Sequence, residues 1–502
     1  MTVNTLLFKE VNVFPELFLG ISIIYLILHC TILSVQKGFP LIQKSVLNLS
    51  VLVIAFSWYL LINDGLDILG SSIFNNTLVN DYLSFSSKSV ILGLSFCCLL
   101  VIQQYLTYQR LNHFEYSLVI LFSILGLLIL CSSNDLITAY LAIELQSLAF
   151  YVLASFKKSS NFSVESGLKY FILGAFSSSL FLLGSSFLYG VTGTVNLEDF
   201  KDLFLFLRSG DNSIVNLNVE LLQIGLSLII VSLFFKLIVV PFHVWAPNVY
   251  EGSPTSSAMF FSVVPKIALF VFLVRLFNYS FEGFLNSWRY FLVTIILLSI
   301  IVGSFGGLEQ RKMKSLLVYS SISHMGYSLI AFSTGTVEGL QFLFCYLIIY
   351  SFSGLCIWSI FIFLRLKISS NNSKQNKDLS DFVQLNKSNT MVSIFFSSVL
   401  FSLAGFPPLI GFLVKLGIFL VAIDTSMYLV ALISILCSVV ATFYYIRVIK
   451  VLFFEKVLVG RLYYPINTQK AMLIVALFYS IIFLFCNPSL LLLFSYKISL
   501  LV

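Results

Sequence analysis

Charge is scarce in this chain of 502 residues. Only 10% of the residues are Asp, Glu, Lys or Arg, whereas 59% are hydrophobic and the mean hydropathy is +1.00. A soluble fold needs a largely polar surface, so soluble classes are excluded. Runs of about 20 apolar residues recur along the chain and indicate a helical protein that crosses a membrane many times. No polar linker separates globular units, and we therefore predict a single domain over residues 1–502.

Motifs for redox centres, metals and nucleic acids are also missing. The eight cysteines form no CxxC pair, the four histidines form no HExxH motif, and no GxGxxG follows a strand pattern. Flavin, nicotinamide, iron–sulfur and zinc sites therefore have no support, and we expect this chain to bind no cofactor and no metal. The net charge of +7 comes with no basic face or aromatic platform, so no nucleic-acid partner is expected.

Hydrophobic runs bounded by charges or turn residues predict an all-α fold with fourteen transmembrane spans. In order, the predicted spans cover residues 15–36, 43–62, 82–107, 115–132, 135–156, 167–191, 219–241, 255–277, 288–308, 315–333, 338–366, 391–423, 427–454 and 470–496. If the spans alternate in direction, 19 of the 29 Lys and Arg residues fall on one side and seven, including Lys88 and Arg275, on the other. The positive-inside rule then places both termini on the outer side.

Three basic residues lie within spans: Lys236, Lys266 and Lys415. The nearest charged residue is 15 positions from Lys236 and nine positions from each of the others, which corresponds to roughly 22 Å and 14 Å along a helix. Snorkelling cannot cover such distances. Because a buried charge costs at least ~2.5 kcal/mol, these residues indicate function. Glu144 is the one carboxylate in the middle of a span, and with Lys236 it can form a switchable pair whose separation controls the proton on the lysine.

Proline interrupts two of the spans. A break follows Lys236 in the seventh span, within PFHVWAP at residues 241–247, and another precedes Lys415 in the twelfth, within GFPPLIGF at residues 405–412. Interrupted helices are tolerated at membrane depth where the freed carbonyls face protein or water, as they do along ion pathways. Pro265 predicts a further kink in the eighth span.

The two breaks are five spans apart, and an odd offset reverses the chain direction. The fourth to eighth and the ninth to thirteenth spans are therefore predicted to be inverted five-helix repeats. On this plan, the chain has four segments: an N-terminal segment of three helices (1–110), a first repeat (111–280), an inverted second repeat (285–456) and a C-terminal helix (457–502). His324 then corresponds to Glu144, and we predict that it relays protons, because imidazole titrates near neutral pH.

Structural interpretations stay open for several polar residues. His324 can instead be a packing residue whose hydrogen bonds are satisfied, and His243 is interpreted as structural. Residues near span ends have simpler explanations, which are snorkelling for Lys169, Arg275 and Arg447 and helix capping for Asp135.

Four stretches carry a resemblance to a known family. They are Glu165–Tyr170 with Gly174–Ser178, Pro241–Pro247 with Tyr250–Thr255, Tyr319–Tyr327, and Gly405–Phe412. Together they resemble the second NADH dehydrogenase subunits of respiratory complex I, which are antiporter-like subunits of its membrane arm. The PFHxWxP and SSIxHxGY patterns are shared by the wider antiporter-like superfamily, whereas the Tyr-Glu-Gly-Ser-Pro run and the GLKYF stretch point to this subunit family.

The resemblance implies a fourteen-helix core whose proton path is formed by one glutamate and three lysines, here Glu144, Lys236, Lys266 and Lys415. It implies that other chains bind the NADH, FMN, iron–sulfur clusters and ubiquinone of the complex. The implied partners are the other membrane-arm subunits, including neighbouring antiporter-like subunits, and lipids such as cardiolipin. Animal members lack the first three helices, so the implied location is the inner membrane of a non-animal mitochondrion, with both termini towards the intermembrane space, or a bacterial plasma membrane.

We therefore expect a proton-translocating subunit that couples NADH:ubiquinone electron transfer to proton pumping and is an enzyme only as part of its complex. Separation of Glu144 from Lys236 is predicted to release a proton through Lys266 and His324 towards Lys415. Two alternatives are a subunit of a multi-subunit Na⁺/H⁺ antiporter and a structural spacer of the membrane arm that does not pump.

Overall fold

The computed structural model describes residues 13–35, 42–64, 70–109, 113–208, 219–367, 373–375, 377–455, 463 and 465–500. Both chain termini and the segment boundaries expected at 110–111 and 456–457 lie outside these residues. The chain forms two compact units. The first consists of Met1–Leu237, Gly252–Trp288 and Leu500–Val502, and the second of Ile238–Glu251 and Arg289–Ser499.

Helices dominate the first unit because apolar segments in a membrane must satisfy their own backbone hydrogen bonds. Its elements are α1 (Phe14–Val35), α2 (Ile42–Asp64), the antiparallel hairpin β1 (Ser71–Ile73) and β2 (Leu78–Asn80), α3 (Tyr82–Gln109), α4 (Glu115–Ser132), α5 (Leu136–Ser155), α6 (Asn161–Thr192), α7 (Leu197–Arg208) and α8 (Val219–Leu237). After α9 (Trp245–Gly252), which lies mostly in the second unit, it continues with α10 (Thr255–Val263), α11 (Pro265–Val274), a π-helical turn (Arg275–Ser280) and a 3₁₀ turn (Glu282–Phe284).

The second unit is built in the same way. Its elements are α12 (Leu285–Gly306), which begins in the first unit, α13 (Met313–Ser333), α14 (Val337–Phe363), the antiparallel pair β3 (Arg365–Lys367) and β4 (Ser373–Gln375), a 3₁₀ turn (Leu379–Phe382), α15 (Leu385–Ser388), α16 (Thr390–Ala404), α17 (Ile410–Asp424), α18 (Tyr428–Phe453), α19 (Thr468–Cys486) and α20 (Pro488–Leu500).

Helices occupy all fourteen predicted spans, which confirms the all-α fold. Among the described residues, twelve helical segments are long and apolar enough to cross a membrane. The remaining two predicted spans are α13, which is rich in serine, and the interrupted pair α16 and α17. Outer helices expose apolar side chains, such as Ile21 of α1 at 68%, whereas residues 255–277 are all buried. This contrast is typical of a bundle whose periphery contacts lipid.

The predicted interruptions are confirmed. Helix α8 ends one residue after Lys236, and the chain turns before α9, with Ile238 in the left-handed region at φ 64°. Helix α16 ends at Ala404, Gly405 follows at φ 88°, and Lys415 is the sixth residue of α17. A third interruption separates α10 from α11 at Pro265, whose ring nitrogen carries no hydrogen to donate.

The start of α5 is fixed by polar contacts at the end of the bundle. Asp135 caps the helix by accepting a hydrogen bond from the Ile137 N–H at 3.4 Å, as predicted. Burial raises the pKa of the Asp135 carboxyl, and backbone hydrogen bonds from Ile137 and Leu136 oppose that shift. The Leu136 N–H donates to the Val195 carbonyl at 3.1 Å. These bonds position α5, whose ninth residue is Glu144.

The snorkelling interpretation is wrong for Arg275. Its side chain is 5% exposed, and it forms an ion pair of 3.2 Å with Asp81. Lys88, counted with the outer loops, is also buried and pairs with Glu16 at 2.6 Å. Sequence reasoning missed both pairs because each acid and its partner are distant in the chain. Lys169, in contrast, is exposed on α6.

Candidate functional site

Side chains of α5 form the first part of the candidate site. Glu144, Ser147 and Tyr151 follow at intervals of three and four residues, so they share one face of the helix. Ser147 Oγ lies 3.3 Å from Glu144 Oε2 and 3.1 Å from the Glu144 carbonyl oxygen, and can donate to either. Glu144 Oε1 is shielded from solvent and accepts no hydrogen bond from the described residues. One oxygen of this carboxylate therefore has no polar partner within the described chain.

Lys236 approaches this face of α5 from the last turn of α8. Its Nζ lies 3.5 Å from Tyr151 Oη and 5.8 Å from the centre of the Tyr151 ring. Glu144 is near enough to interact with the ammonium electrostatically. Among the ion pairs of the described residues, however, none joins Glu144 directly to Lys236. Hydroxyl groups on one face of α5 thus contact both predicted partners, Tyr151 contacting Lys236 and Ser147 contacting Glu144.

The break after α8 contributes to the electrostatics of Lys236. The last carbonyls of a helix have no intrahelical partner and carry partial negative charge, which favours a cation. Because α8 ends at Leu237, this end lies next to Lys236. The interruption therefore places a favourable helix terminus beside a charge that the membrane would otherwise oppose.

Lys266 is enclosed within the first unit. It is the second residue of α11, all of whose residues are buried, and is 2% exposed. Helix α11 packs against α3, α4 and α8. Since α8 carries Lys236, the structure brings two of the predicted lysines onto helices that are in contact.

His324 is the centre of an aromatic cluster in the second unit. Its Nδ1 lies 2.5 Å from Tyr346 Oη and its Nε2 lies 3.0 Å from Tyr445 Oη. A neutral imidazole has one donor and one acceptor nitrogen, so the two phenols take opposite roles. Both ring nitrogens are satisfied, as the packing interpretation predicts, and both also face groups that can pass a proton. The relay role of His324 therefore stays a prediction.

Lys415 lies in the second unit and is held by the end of a different helix from its own. Its Nζ donates to the Leu403 carbonyl at 2.7 Å and to the Ala404 carbonyl at 3.0 Å, at the C-terminus of α16. The Tyr327 ring centre is 5.3 Å from Nζ. Carbonyls freed by the break thus bind this ammonium directly, where Lys236 has a phenol and a more distant carboxylate.

Hydroxyl groups are the part of the site that sequence reasoning missed. Tyr151 could have been found by its helical spacing from Glu144, since seven residues are two turns. Tyr346 and Tyr445 come from α14 and α18 and have no comparable signal in the sequence. Within the described residues, no group of three or more His, Cys, Asp or Glu side chains is arranged to hold a metal ion.

Comparisons with known proteins identify the family. Residues 133–441, which contain all five predicted path residues, match the family described as NADH:quinone oxidoreductase/Mrp antiporter, TM. The chain belongs to this family. It is 39% identical to NADH-quinone oxidoreductase subunit N of Pelagibacter ubique, over 88% of this chain and 89% of that protein. It is 36% identical to NADH-ubiquinone oxidoreductase chain 2 of Marchantia polymorpha, over 97% of both.

A solved structure shows the same relationship for this family member. A chain of respiratory complex I from Thermus thermophilus with bound aureothin superposes with a TM-score of 0.76 at 26% identity, over 95% of this chain and 98% of that one. The resemblance predicted from the sequence motifs is confirmed, and so is the antiporter-like fold.

Proposed function

We propose that this chain is a proton-translocating subunit of the membrane arm of an NADH:quinone oxidoreductase. It couples electron transfer in the complex to proton movement through Glu144, Lys236, Lys266, His324 and Lys415. The observation that carries the proposal is the contact between the half-buried ammonium of Lys236 and the face of α5 that carries Glu144. A charge in a membrane span is expensive, and this one has a titratable partner at a distance that small motions can change.

The proposed cycle depends on the distance between Glu144 and Lys236. When the carboxylate approaches, its charge stabilises the ammonium, together with the carbonyl end of α8. When it withdraws, the half-buried ammonium loses that compensation and releases its proton. Lys266, on the neighbouring α11, is the proposed next acceptor, and His324 and Lys415 follow.

Lys415 is the proposed terminal group of the path. Its partners are the Leu403 and Ala404 carbonyls, which cannot titrate. Because carbonyl groups keep the same charge, their stabilisation of the ammonium is constant. Changes elsewhere in the path then determine when the proton leaves.

The proposed setting is a membrane-arm assembly with other subunits of the complex, including antiporter-like neighbours, and with lipids such as cardiolipin. The exposed apolar side chains of helices such as α1 and α18 suit lipid or subunit contact. The proposed membrane is the inner membrane of a non-animal mitochondrion, with both termini towards the intermembrane space, or a bacterial plasma membrane. The redox cofactors, NADH, FMN, iron–sulfur clusters and ubiquinone, belong to the whole complex.

The test is proton translocation by the assembled oxidoreductase in sealed vesicles. Lys236→Met removes the charge with little change in length, and Glu144→Gln removes it with none. We expect both variants to move fewer protons per NADH oxidised, while Lys169→Met, on the exposed side of α6, keeps the normal ratio. Normal ratios in assembled Lys236→Met and Glu144→Gln enzymes overturn the proposal and support a structural spacer.

The same vesicles address the antiporter alternative. A proton-translocating oxidoreductase subunit needs no sodium, so replacing sodium with potassium leaves the ratio of protons to NADH unchanged. A strict sodium requirement, with sodium moved in exchange for protons, supports the Na⁺/H⁺ antiporter function instead.

A further inference from the structure

A line of hydroxyl groups separates Lys236 from Glu144. We propose that Tyr151 and Ser147 carry the proton between these two residues, which deepens the proposed function and rests on it. Lys236 Nζ lies 3.5 Å from Tyr151 Oη, Ser147 lies one helical turn before Tyr151 on the same face of α5, and Ser147 Oγ lies 3.3 Å from Glu144 Oε2. The order along this line is ammonium, phenol, hydroxyl and carboxylate.

The transfer balances without any further reactant. An N–H bond of the Lys236 ammonium breaks as an O–H bond forms on Tyr151, whose own proton passes to Ser147. Ser147 in turn gives its proton to Glu144 Oε2. The result is a neutral lysine and a neutral carboxylic acid, with both hydroxyl groups restored. Reversal of the same steps returns the proton to Lys236 and restores both charges, after which the proposed cycle passes the proton on to Lys266.

Gly174 provides the space in which the Tyr151 hydroxyl lies. A Cβ atom at this position of α6 would overlap Tyr151 Oη and lie 2.6 Å from Cζ, so any larger residue must displace the phenol. The Tyr151 ring is also held by edge contacts with Tyr170 and Phe171, at 4.8 and 5.6 Å between ring centres. Gly174 opens one of the stretches that carried the family resemblance, and this contact gives that glycine a role.

Packing alone does not account for the tyrosine. Phenylalanine would fill the same ring contacts without bringing a hydroxyl group into the bundle, where an unpaired hydroxyl costs free energy. The Tyr151 hydroxyl instead contacts Lys236 and lies one helical turn from Ser147, which contacts Glu144. Tyr151 and Ser147 together contact the two groups whose protonation the proposed cycle must link.

The direct test is Tyr151→Phe in the assembled oxidoreductase, compared with Tyr140→Phe. Tyr140 is one turn from Glu144 on the same helix and stacks on Phe181 at 6.2 Å. We expect Tyr151→Phe to slow coupled proton translocation by about tenfold or more, since a positioned proton-transfer group contributes at least that much. Tyr140→Phe should keep the normal rate. A smaller loss in Tyr151→Phe, or an equal loss in both variants, overturns the proposal.

A second pair of variants moves the phenol without removing it. Gly174→Ala displaces the Tyr151 hydroxyl, whereas Gly167→Ala crowds the same helix pair at Ser155, where its Cβ would lie 2.5 Å from that of the serine. We expect Gly174→Ala to lower the number of protons moved per NADH in enzyme that has assembled, and Gly167→Ala to affect assembly alone. Equal ratios in the two assembled variants contradict the assigned role of Gly174.

Two substitutions of Ser147 test the effect of losing its hydroxyl and of keeping it. Ser147→Ala interrupts the line beside Glu144 and is expected to reproduce the Tyr151→Phe defect, while Ser147→Thr keeps a hydroxyl and restores translocation. If Lys236→Met and Glu144→Gln lose pumping but Tyr151→Phe and Ser147→Ala do not, the hydroxyl route is wrong and the proposed function stands. If all four pump normally, the proposed function itself is wrong.

Discussion

The first unit contains two lysine–glutamate pairs, one buried and one half-buried, and they are built differently. Lys88 Nζ contacts Glu16 Oε1 at 2.6 Å, with both side chains 5% exposed, and also lies 3.3 Å from Asn80 Oδ1. Lys236 and Glu144 form no ion pair, and they contact the hydroxyls of Tyr151 and Ser147, respectively. The first pair joins α1 to α3, whereas the second joins α8 to α5.

The difference in geometry predicts a structural role for the Lys88–Glu16 pair and proton exchange for Lys236 and Glu144. In a direct pair, loss of the lysine proton leaves a buried carboxylate uncompensated, which is costly, so both groups stay charged. In a separated pair the mutual stabilisation is weaker and varies with distance, so protonation can follow small motions. Lys88 and Glu16 also lie outside residues 133–441, the part of the chain that matches the family. Burial of a lysine is thus insufficient evidence for a place in the proton path.

Breaking the direct pair has the largest expected effect on stability. Lys88→Met leaves Glu16 buried without its partner, and the free energy of unfolding should fall by about 3–5 kcal/mol. The midpoint of thermal inactivation of the purified complex measures this loss. Enzyme that has assembled should still move the normal number of protons per NADH, because Lys88 holds helices together and passes no proton.

The double variant Lys88→Met/Glu16→Leu is the control for this loss. Two apolar side chains of suitable size replace the pair without an unpaired charge, so most of the stability should return. A lowered proton ratio in the stable double variant would place Lys88 in the path and remove the distinction between the two pairs.

His324 extends the comparison to the second unit, where phenols surround a titratable group. His324→Leu removes the nearest partner of the buried Tyr346 hydroxyl and should cost about 1–3 kcal/mol. Adding Tyr346→Phe removes the hydroxyl that lost its partner and should restore part of that stability, since His324 also contacts the Tyr445 hydroxyl. If His324 relays protons, translocation stays low in the double variant. Recovery of translocation together with stability supports the packing interpretation.

Substitution of Gly405 tests the role of Lys415, whose hydrogen-bond partners are carbonyl groups that cannot titrate. Gly405 and Gly193 both follow a helix C-terminus at positive φ, 88° and 76°, so alanine at either should cost about 1–2 kcal/mol through the backbone. Only at Gly405 would the new Cβ crowd a lysine, 3.0 Å from Lys415 Cδ, whereas Gly193 has open space. We expect similar thermal stability for the two variants and a lower proton ratio for Gly405→Ala alone. Equal ratios of protons to NADH in the two variants would show that the position of Lys415 against the end of α16 does not affect translocation.

Sequence reasoning succeeded where the signal was local. Apolar runs located the twelve helical segments, among the described residues, that are long and apolar enough to cross a membrane, because such a segment must be both whatever its neighbours are. Proline located the breaks near Lys236 and Lys415, since the missing donor acts at its own position. The same reasoning isolated Glu144 and the three lysines, and their identity as path residues stays a prediction.

Contacts between distant segments were not accessible in the same way. The ion pair of Arg275 with Asp81 joins residues 194 positions apart, and the bond of His324 to Tyr445 spans 121. Tyrosine is also an ordinary core residue, so its presence in an apolar span predicts packing before it predicts chemistry. The separation between Lys236 and Glu144, on which the proposed cycle depends, needed the structure.

A third lysine–glutamate pair completes the comparison and has the smallest expected effect. Glu165 and Lys169 lie one turn apart on α6 at 2.6 Å, and their side chains are 58% and 48% exposed. Exposed pairs at this spacing contribute only about 0.3–0.5 kcal/mol, so Lys169→Ala should barely change the thermal midpoint and leave the proton ratio normal. Both residues belong to a stretch that carries the family resemblance. A lowered proton ratio in Lys169→Ala would therefore show that this stretch takes part in translocation directly. An exposed lysine could then belong to the proton path, just as a buried lysine such as Lys88 can lie outside it.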